Sequence, residues 1–250
     1  MKGRVTAYVG YQLRDYFATR ALTILVATAL VAWGFAAARG VTFSELDPTG
    51  GVDARERIQQ AFELLLVIFA FVAGAAAAHG LVSHHRSREY DRLLFSRPIN
   101  PARYYSQGFV LAGLGGVVLA IVGAEVYAVA VHPVSLAGVA GYVALAWVLV
   151  GGLAFLLSTL TAFHLPILAL VLAADLAVDY YAGELSTAGA GPVAAVIQYV
   201  LPPAHVLVTL RGGFARGLPI DPRAVAWPAG FGVACIVVAM VLLRRRPFRP

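Results

Sequence analysis

Six long apolar runs occupy most of this chain, at residues 21–38, 61–81, 107–131, 138–160, 165–180 and 224–243. A helix rises 1.5 Å per residue, so about 20 apolar residues cross the roughly 30 Å hydrocarbon core of a bilayer. The chain has 250 residues, of which 60% are hydrophobic and only 13% are charged. Its mean hydropathy is +0.79. No soluble domain of this size buries so much apolar surface, so the bilayer is the expected solvent for most of it. The expectation is an all-α integral membrane protein with six transmembrane helices, forming a single domain over 1–250.

Charge sets the orientation. Residues 79–107 read HGLVSHHRSREYDRLLFSRPINPARYYSQ and carry Arg86, Arg88, Arg92, Arg97 and Arg103 against Glu89 and Asp91. Basic loops stay on the cytoplasmic side, which places this segment inside. The stretch 39–60 has a much weaker basic excess and belongs outside, with Pro48-Thr49-Gly50-Gly51 as its turn. Arg244, Arg245, Arg246 and Arg249 follow the last run as a cytoplasmic stop. Both termini are then cytoplasmic, and the expected location is the cell inner (plasma) membrane. The net charge of +6 reports these loops and contact with anionic lipid. No basic face with interleaved aromatics suggests nucleic acid.

The segment 87–95 reads as a short charged helix tipped by Leu93, Leu94 and Phe95, and Pro98 and Pro101 stop it. The run Leu93-Leu94-Phe95-Ser96-Arg97-Pro98-Ile99-Asn100, followed by Tyr104, resembles the cytoplasmic loop of ABC-2-type transporter permeases. Two departures stand out. Glu89-Tyr90 occupies the region of that family's Gly-Thr, and Gly108-Phe109 replaces its Gly-Lys. The resemblance extends along the chain. Residues 1–20 place Val5, Tyr8, Val9, Leu13, Tyr16 and Phe17 at helical spacing among Lys2, Arg4, Arg14 and Arg20. That pattern suits an interfacial elbow helix, although a plain cytoplasmic tail is the simpler alternative. Arg14, Asp15 and Arg20 argue against a cleavable signal. Residues 192–208 are apolar but broken by Pro202-Pro203 and too short to cross, as a re-entrant segment between spans five and six would be.

The resemblance implies a dimeric permease, expected to be a homodimer, with two copies of a P-loop ATPase docked below it. ATP and Mg would be bound by that partner. The expected docking residues of the coupling helix are Arg86, Arg88, Glu89, Asp91, Arg92, Leu93 and Leu94, with the leucines inserted in a groove of the ATPase.

Catalytic motifs are missing from the sequence. There is no G-x-x-x-x-G-K-[ST], C-x-x-C, H-E-x-x-H or G-x-S-x-G, so neither enzymatic activity nor a cofactor is expected in this chain. Gly212-Gly213-Phe214-Ala215-Arg216-Gly217 reads as a loop. Adjacent His84 and His85 point to different sides of a helix and suit a solvated face better than a metal. Tyr104-Tyr105, Tyr180-Tyr181, Trp33 and Trp227 suit interface belts, and Cys235 reads as a packing residue.

Ionisable groups inside apolar runs each need a reason, because a charge in hydrocarbon costs about 2.5–3.5 kcal/mol on insertion scales. Glu63, His79, Glu125, Asp175 and Asp179 are the cases. Asp175 and Asp179 share a helix face. Glu125, Asp175 and Asp179 either line a translocation path suited to a cation or sit near the interface. In the second case they pair with Arg211, Arg216 or free backbone donors of the re-entrant segment. Glu63 is expected in the first turn of its helix, where a carboxylate complements the dipole, and His79 is expected against a neighbouring helix or the inner interface. The leading expectation is the permease subunit of an ATP-driven exporter. The alternatives are a stand-alone cation-coupled carrier using these carboxylates, or a non-transporting membrane scaffold.

Overall fold

The computed structural model describes residues 14, 21–38, 52–78, 101–182, 184 and 191–245. Among them every regular element is a helix. In chain order these are α1 (Leu22–Ala38), α2 (Val52–Ala78), α3 (Pro101–Ala130), α4 (Leu136–Ala146), α5 (Gly152–Leu160), α6 (His164–Tyr180), α7 (Gly191–Val200), α8 (Ala204–Arg216) and α9 (Pro222–Arg245). A single π-helical turn, Trp147–Gly151, joins α4 to α5 without a break. The coupling residues Arg86, Arg88, Glu89, Asp91, Arg92, Leu93 and Leu94, with His79, His84 and His85, lie outside the described residues. So does the elbow segment, apart from Arg14.

Among the described residues, four stretches are helical, long and apolar enough to cross a membrane: Glu56–Ala78, Ala102–Ala130, Leu136–Leu160 and Pro222–Arg245. α1 and α6 have 17 residues each. At about 25 Å they stand at the lower limit for crossing. Two helices start earlier than the apolar pattern suggests. α2 begins at Val52, directly after Gly50-Gly51, and takes Arg55, Glu56 and Arg57 into its first turns. α3 begins at Pro101, whose missing N–H costs nothing at a first helical position. Hydropathy marks where the charge ends. The helix runs on until its backbone is interrupted. At the start of α9, Asp221 Oδ1 accepts the Arg223 backbone N–H at 3.0 Å across Pro222, a cap followed by proline at the first position.

The chain forms two compact units. One draws on Met1–Ala73, Leu111–Ala144 and Leu210–Ile220. Leu66, Phe69, Ala70, Ala112, Val139, Tyr142 and Ala215 are buried in it. Phe62 stacks on Tyr127 with ring centroids 4.1 Å apart, and Tyr142 meets Phe214 edge-on at 5.8 Å. Ser135 Oγ accepts the Gly138 N–H at 3.0 Å and caps α4. A Cβ at Gly138 would overlap the Phe214 carbonyl oxygen, so glycine lets α4 and α8 approach at backbone distance. The glycine-rich stretch is not a loop. Residues 212–216 complete α8, and Gly217, with φ of +67°, ends it. The Leu218 N–H then returns to the Gly213 carbonyl at 2.9 Å, closing a left-handed helix cap.

Tyr142 is fully buried, and its hydroxyl has no hydrogen-bond partner among the described residues. An orphaned buried hydroxyl costs about 1–3 kcal/mol. Tyr142→Phe removes that cost and keeps the ring. It is expected to leave the melting temperature of the purified protein unchanged or raise it by a few degrees. A clear drop would mean that the hydroxyl is bonded.

The other unit draws on Gly74–Val110, Leu145–Thr209 and Asp221–Pro250. Phe109 lies between Trp147 and Phe155, stacked at centroid distances of 4.6 and 5.0 Å. α9 packs on α5 and the π turn, where Gly232 and Gly152 bring the backbones together. Cys235, Ala239 and Leu243 are buried along α9. Tyr105 is fully buried, which removes it from any interface belt, whereas Trp33, Tyr180, Tyr181 and Trp227 are exposed.

Candidate functional site

The carboxylates expected inside the membrane occupy different environments. In the first unit, Glu63 is buried well inside α2, eleven residues past its start at Val52. The dipole of the helix's first turn therefore does not account for it. Arg216, at the last position of α8, donates through Nε to Glu63 Oε1 at 3.0 Å. The guanidinium side chain is 47% exposed and the carboxylate side chain 6%. The arginine thus reaches inward from the surface to neutralise a buried acid. Gly212 makes room for the pair: a Cβ there would stand 3.2 Å from Glu63 Oε2. Glu125 is exposed on α3.

In the second unit, Asp175 is fully buried on α6, while Asp179, one turn later, is exposed. Helix spacing gives them a common face, but packing separates their surroundings. Asp175 accepts the backbone N–H of His205 at Oδ2, 2.8 Å away. The His205 ring sits on the same carboxylate, with Nδ1 2.9 Å from Oδ1 and 3.0 Å from Oδ2. His205 is the second residue of α8, so the bonded N–H is one of the donors that a helix start leaves unpaired. The carboxylate also complements the positive end of the helix dipole. A free backbone donor of the segment between α6 and α9 is thus one of its partners.

The other partner, His205, was not legible as a site residue. Its only signal is its place: a lone histidine just after Pro202-Pro203 in an apolar stretch, at the point where a helix must restart. A carboxylate oxygen accepts, so a ring N–H at Nδ1 is the donor that suits this contact.

Beside this pair opens a cavity of about 450 Å³, lined in part by Gln198, Tyr199, His205 and Trp227. Tyr199 is the next-to-last residue of α7, and Trp227 lies in the second turn of α9. Their rings meet at 74° with centroids 6.1 Å apart, forming a corner. Trp227, expected in an interface belt, therefore also walls a cavity. Among the described residues, no group of three His, Cys, Asp or Glu side chains is placed to hold a metal ion. Compared with protein-family models, curated proteins and solved structures, the chain matches none.

Proposed function

We propose that this chain is the membrane-spanning permease subunit of an ATP-driven transporter of the ABC-2 type, working as an exporter. The observation that carries the reading is the basic segment 79–107, with its Leu-Leu-Phe-Ser-Arg-Pro-Ile-Asn run, lying between the long apolar helices α2 and α3. A second feature supports it. α7 and α8 have 10 and 13 residues, about 15 and 20 Å, and Pro202-Pro203 separates them. Both are too short for a 30 Å core, so they suit a segment that enters the outer leaflet and returns.

In this reading α1 and α6 also cross, giving six spans with both termini inside. Two such chains form the pathway, and two ATPase subunits bind ATP and Mg beneath them. Closure of the ATPases on ATP pushes the coupling helix around Leu93 and Leu94. The spans then rock between inward-open and outward-open states. Work is done on the membrane domain by the partner, and this chain carries no hydrolytic chemistry.

The test is ATP hydrolysis by the complex purified through a tag on this chain from its native membrane. The expected result is a vanadate-sensitive ATPase that co-elutes with the chain. A pure chain that transports in response to a proton or sodium gradient, with no ATPase attached, would sink the reading and favour the carrier.

A further inference from the structure

We infer that the cavity bounded by Gln198, Tyr199, His205 and Trp227 is a binding site for an organic ammonium group, of the alkylated kind found in choline. The inference stands apart from the permease reading, since it concerns what the cavity holds and not what drives the protein.

Three observations point to a cation of this class. First, two aromatic rings meet nearly at right angles, at 74°, and line the cavity. The faces of tryptophan and tyrosine carry negative quadrupole charge and attract ammonium groups within about 6 Å. Second, a buried carboxylate is bonded to one of the lining residues. Asp175 is fully buried and holds His205, which lines the cavity, by both backbone and ring. Third, among the described residues that line the cavity there is neither a lysine nor an arginine to hold an anion, and no carboxylate to strip a metal ion of its water. An alkylated ammonium keeps little hydration to lose, so aromatic faces and one screened carboxylate suffice for it.

The other charged residues nearest to the lining residues along the chain are of both signs. Asp179 follows Asp175 by one turn, and Asp221 and Arg223 stand together at the start of α9. Arg211 and Arg216 on α8, and Arg244 and Arg245 on α9, stand six or more residues from His205 and Trp227 along their helices. The cavity volume lies within the range of small-molecule sites, about 300–1,000 Å³.

The same trimethylammonium chemistry reaches a membrane protein from two sources: a soluble organic cation or a phosphatidylcholine headgroup. The probe is labelled choline, titrated into the full chain in a maltoside detergent, with 3,3-dimethyl-1-butanol as its neutral isostere. Saturable choline binding is expected, competed by tetramethylammonium and not by the alcohol. Trp227→Leu and Tyr199→Leu are expected to weaken it about tenfold or more, while Trp227→Phe, which keeps a ring face, loses only about threefold. Both positions are exposed, at 44% and 74%, so each leucine variant retains the fold, and melting curves verify this. Displacement of choline by phosphatidylcholine, and not by phosphatidylglycerol, assigns the site to a lipid headgroup. Choline binding that phosphatidylcholine does not displace assigns it to a soluble cation. The proposal is overturned if choline binds no better than its neutral isostere, or if both folded leucine variants bind it as the native chain does.

Discussion

Asp175→Ala is expected to lower the melting temperature of the detergent-purified protein by roughly 10 °C. The carboxylate is fully buried and is bonded to both the backbone N–H and the ring of His205. Removing it strands two donors at the start of α8. Breaking a buried pair from one side costs about 3–5 kcal/mol, most of it the penalty on the partner left behind. Asp175→Asn keeps one acceptor oxygen and turns an amide N–H toward a donor, so about half the loss is expected. The double variant Asp175→Leu with His205→Leu removes the ring from the problem and leaves only the backbone N–H stranded. It should therefore be more stable than Asp175→Ala. Asp179→Asn serves as the control. Its side chain is exposed, and a change within about 0.5 kcal/mol is expected. Equal effects at 175 and 179 would show that the Asp175–His205 contact does not carry the stability assigned to it.

Gly232→Ala is the second large effect, and its size comes from what the new methyl would meet. A Cβ at 232 would overlap the Val148 carbonyl oxygen and stand 2.8 Å from Leu149 Cα, both backbone atoms of the π turn. On the facing side, a Cβ at Gly152 would stand 2.7 Å from the Gly232 carbonyl oxygen. Backbone cannot rotate aside as a side chain can, so α9 must move away from α5 and the π turn. Overpacking of this kind costs about 1–3 kcal/mol and sometimes more, and the upper end is expected here. Two residues earlier the sign reverses. A Cβ at Gly230 meets nothing within 4 Å. There alanine replaces glycine in an open helical position, and a gain of about 0.5–1 kcal/mol is expected. Thermal melts of the two single variants decide the matter. A harmless Gly232→Ala would mean that α9 does not pack against the π turn as closely as described.

The class of the protein was legible from the apolar runs, because hydrocarbon tolerates little else over that length. The all-helical architecture and the long helices at 56–78, 102–130, 136–160 and 222–245 follow the sequence pattern, with ends shifted by a few residues. The break at Pro202-Pro203 was equally readable, since proline both lacks a donor and restrains its predecessor. What stayed hidden depends on contacts between distant parts of the chain. Glu63 and Arg216 are 153 residues apart, and nothing local to either names the other. Residues 212–217 read as a loop because they are glycine-rich and lie in the outer segment between the last two apolar runs. In the fold, Gly212 is instead the space into which the Glu63 carboxylate fits. Asp175 drew attention as a charge in an apolar run, whereas His205 did not, because a histidine near a proline pair has many uses. The π turn at Trp147–Gly151 left no mark in the sequence beyond a glycine pair at 151–152.

The most direct test of a permease driven through residues 79–107 is a pull-down of the tagged chain in mild detergent, with and without Leu93→Asp and Leu94→Asp. The permease reading predicts that a P-loop ATPase co-purifies with the native chain. It further predicts that the two aspartates release the ATPase while the chain still reaches the membrane, because a charge cannot enter an apolar groove without a partner. An ATPase retained by the double variant would place the docking surface elsewhere on the chain. No ATPase with the native chain would contradict the reading itself.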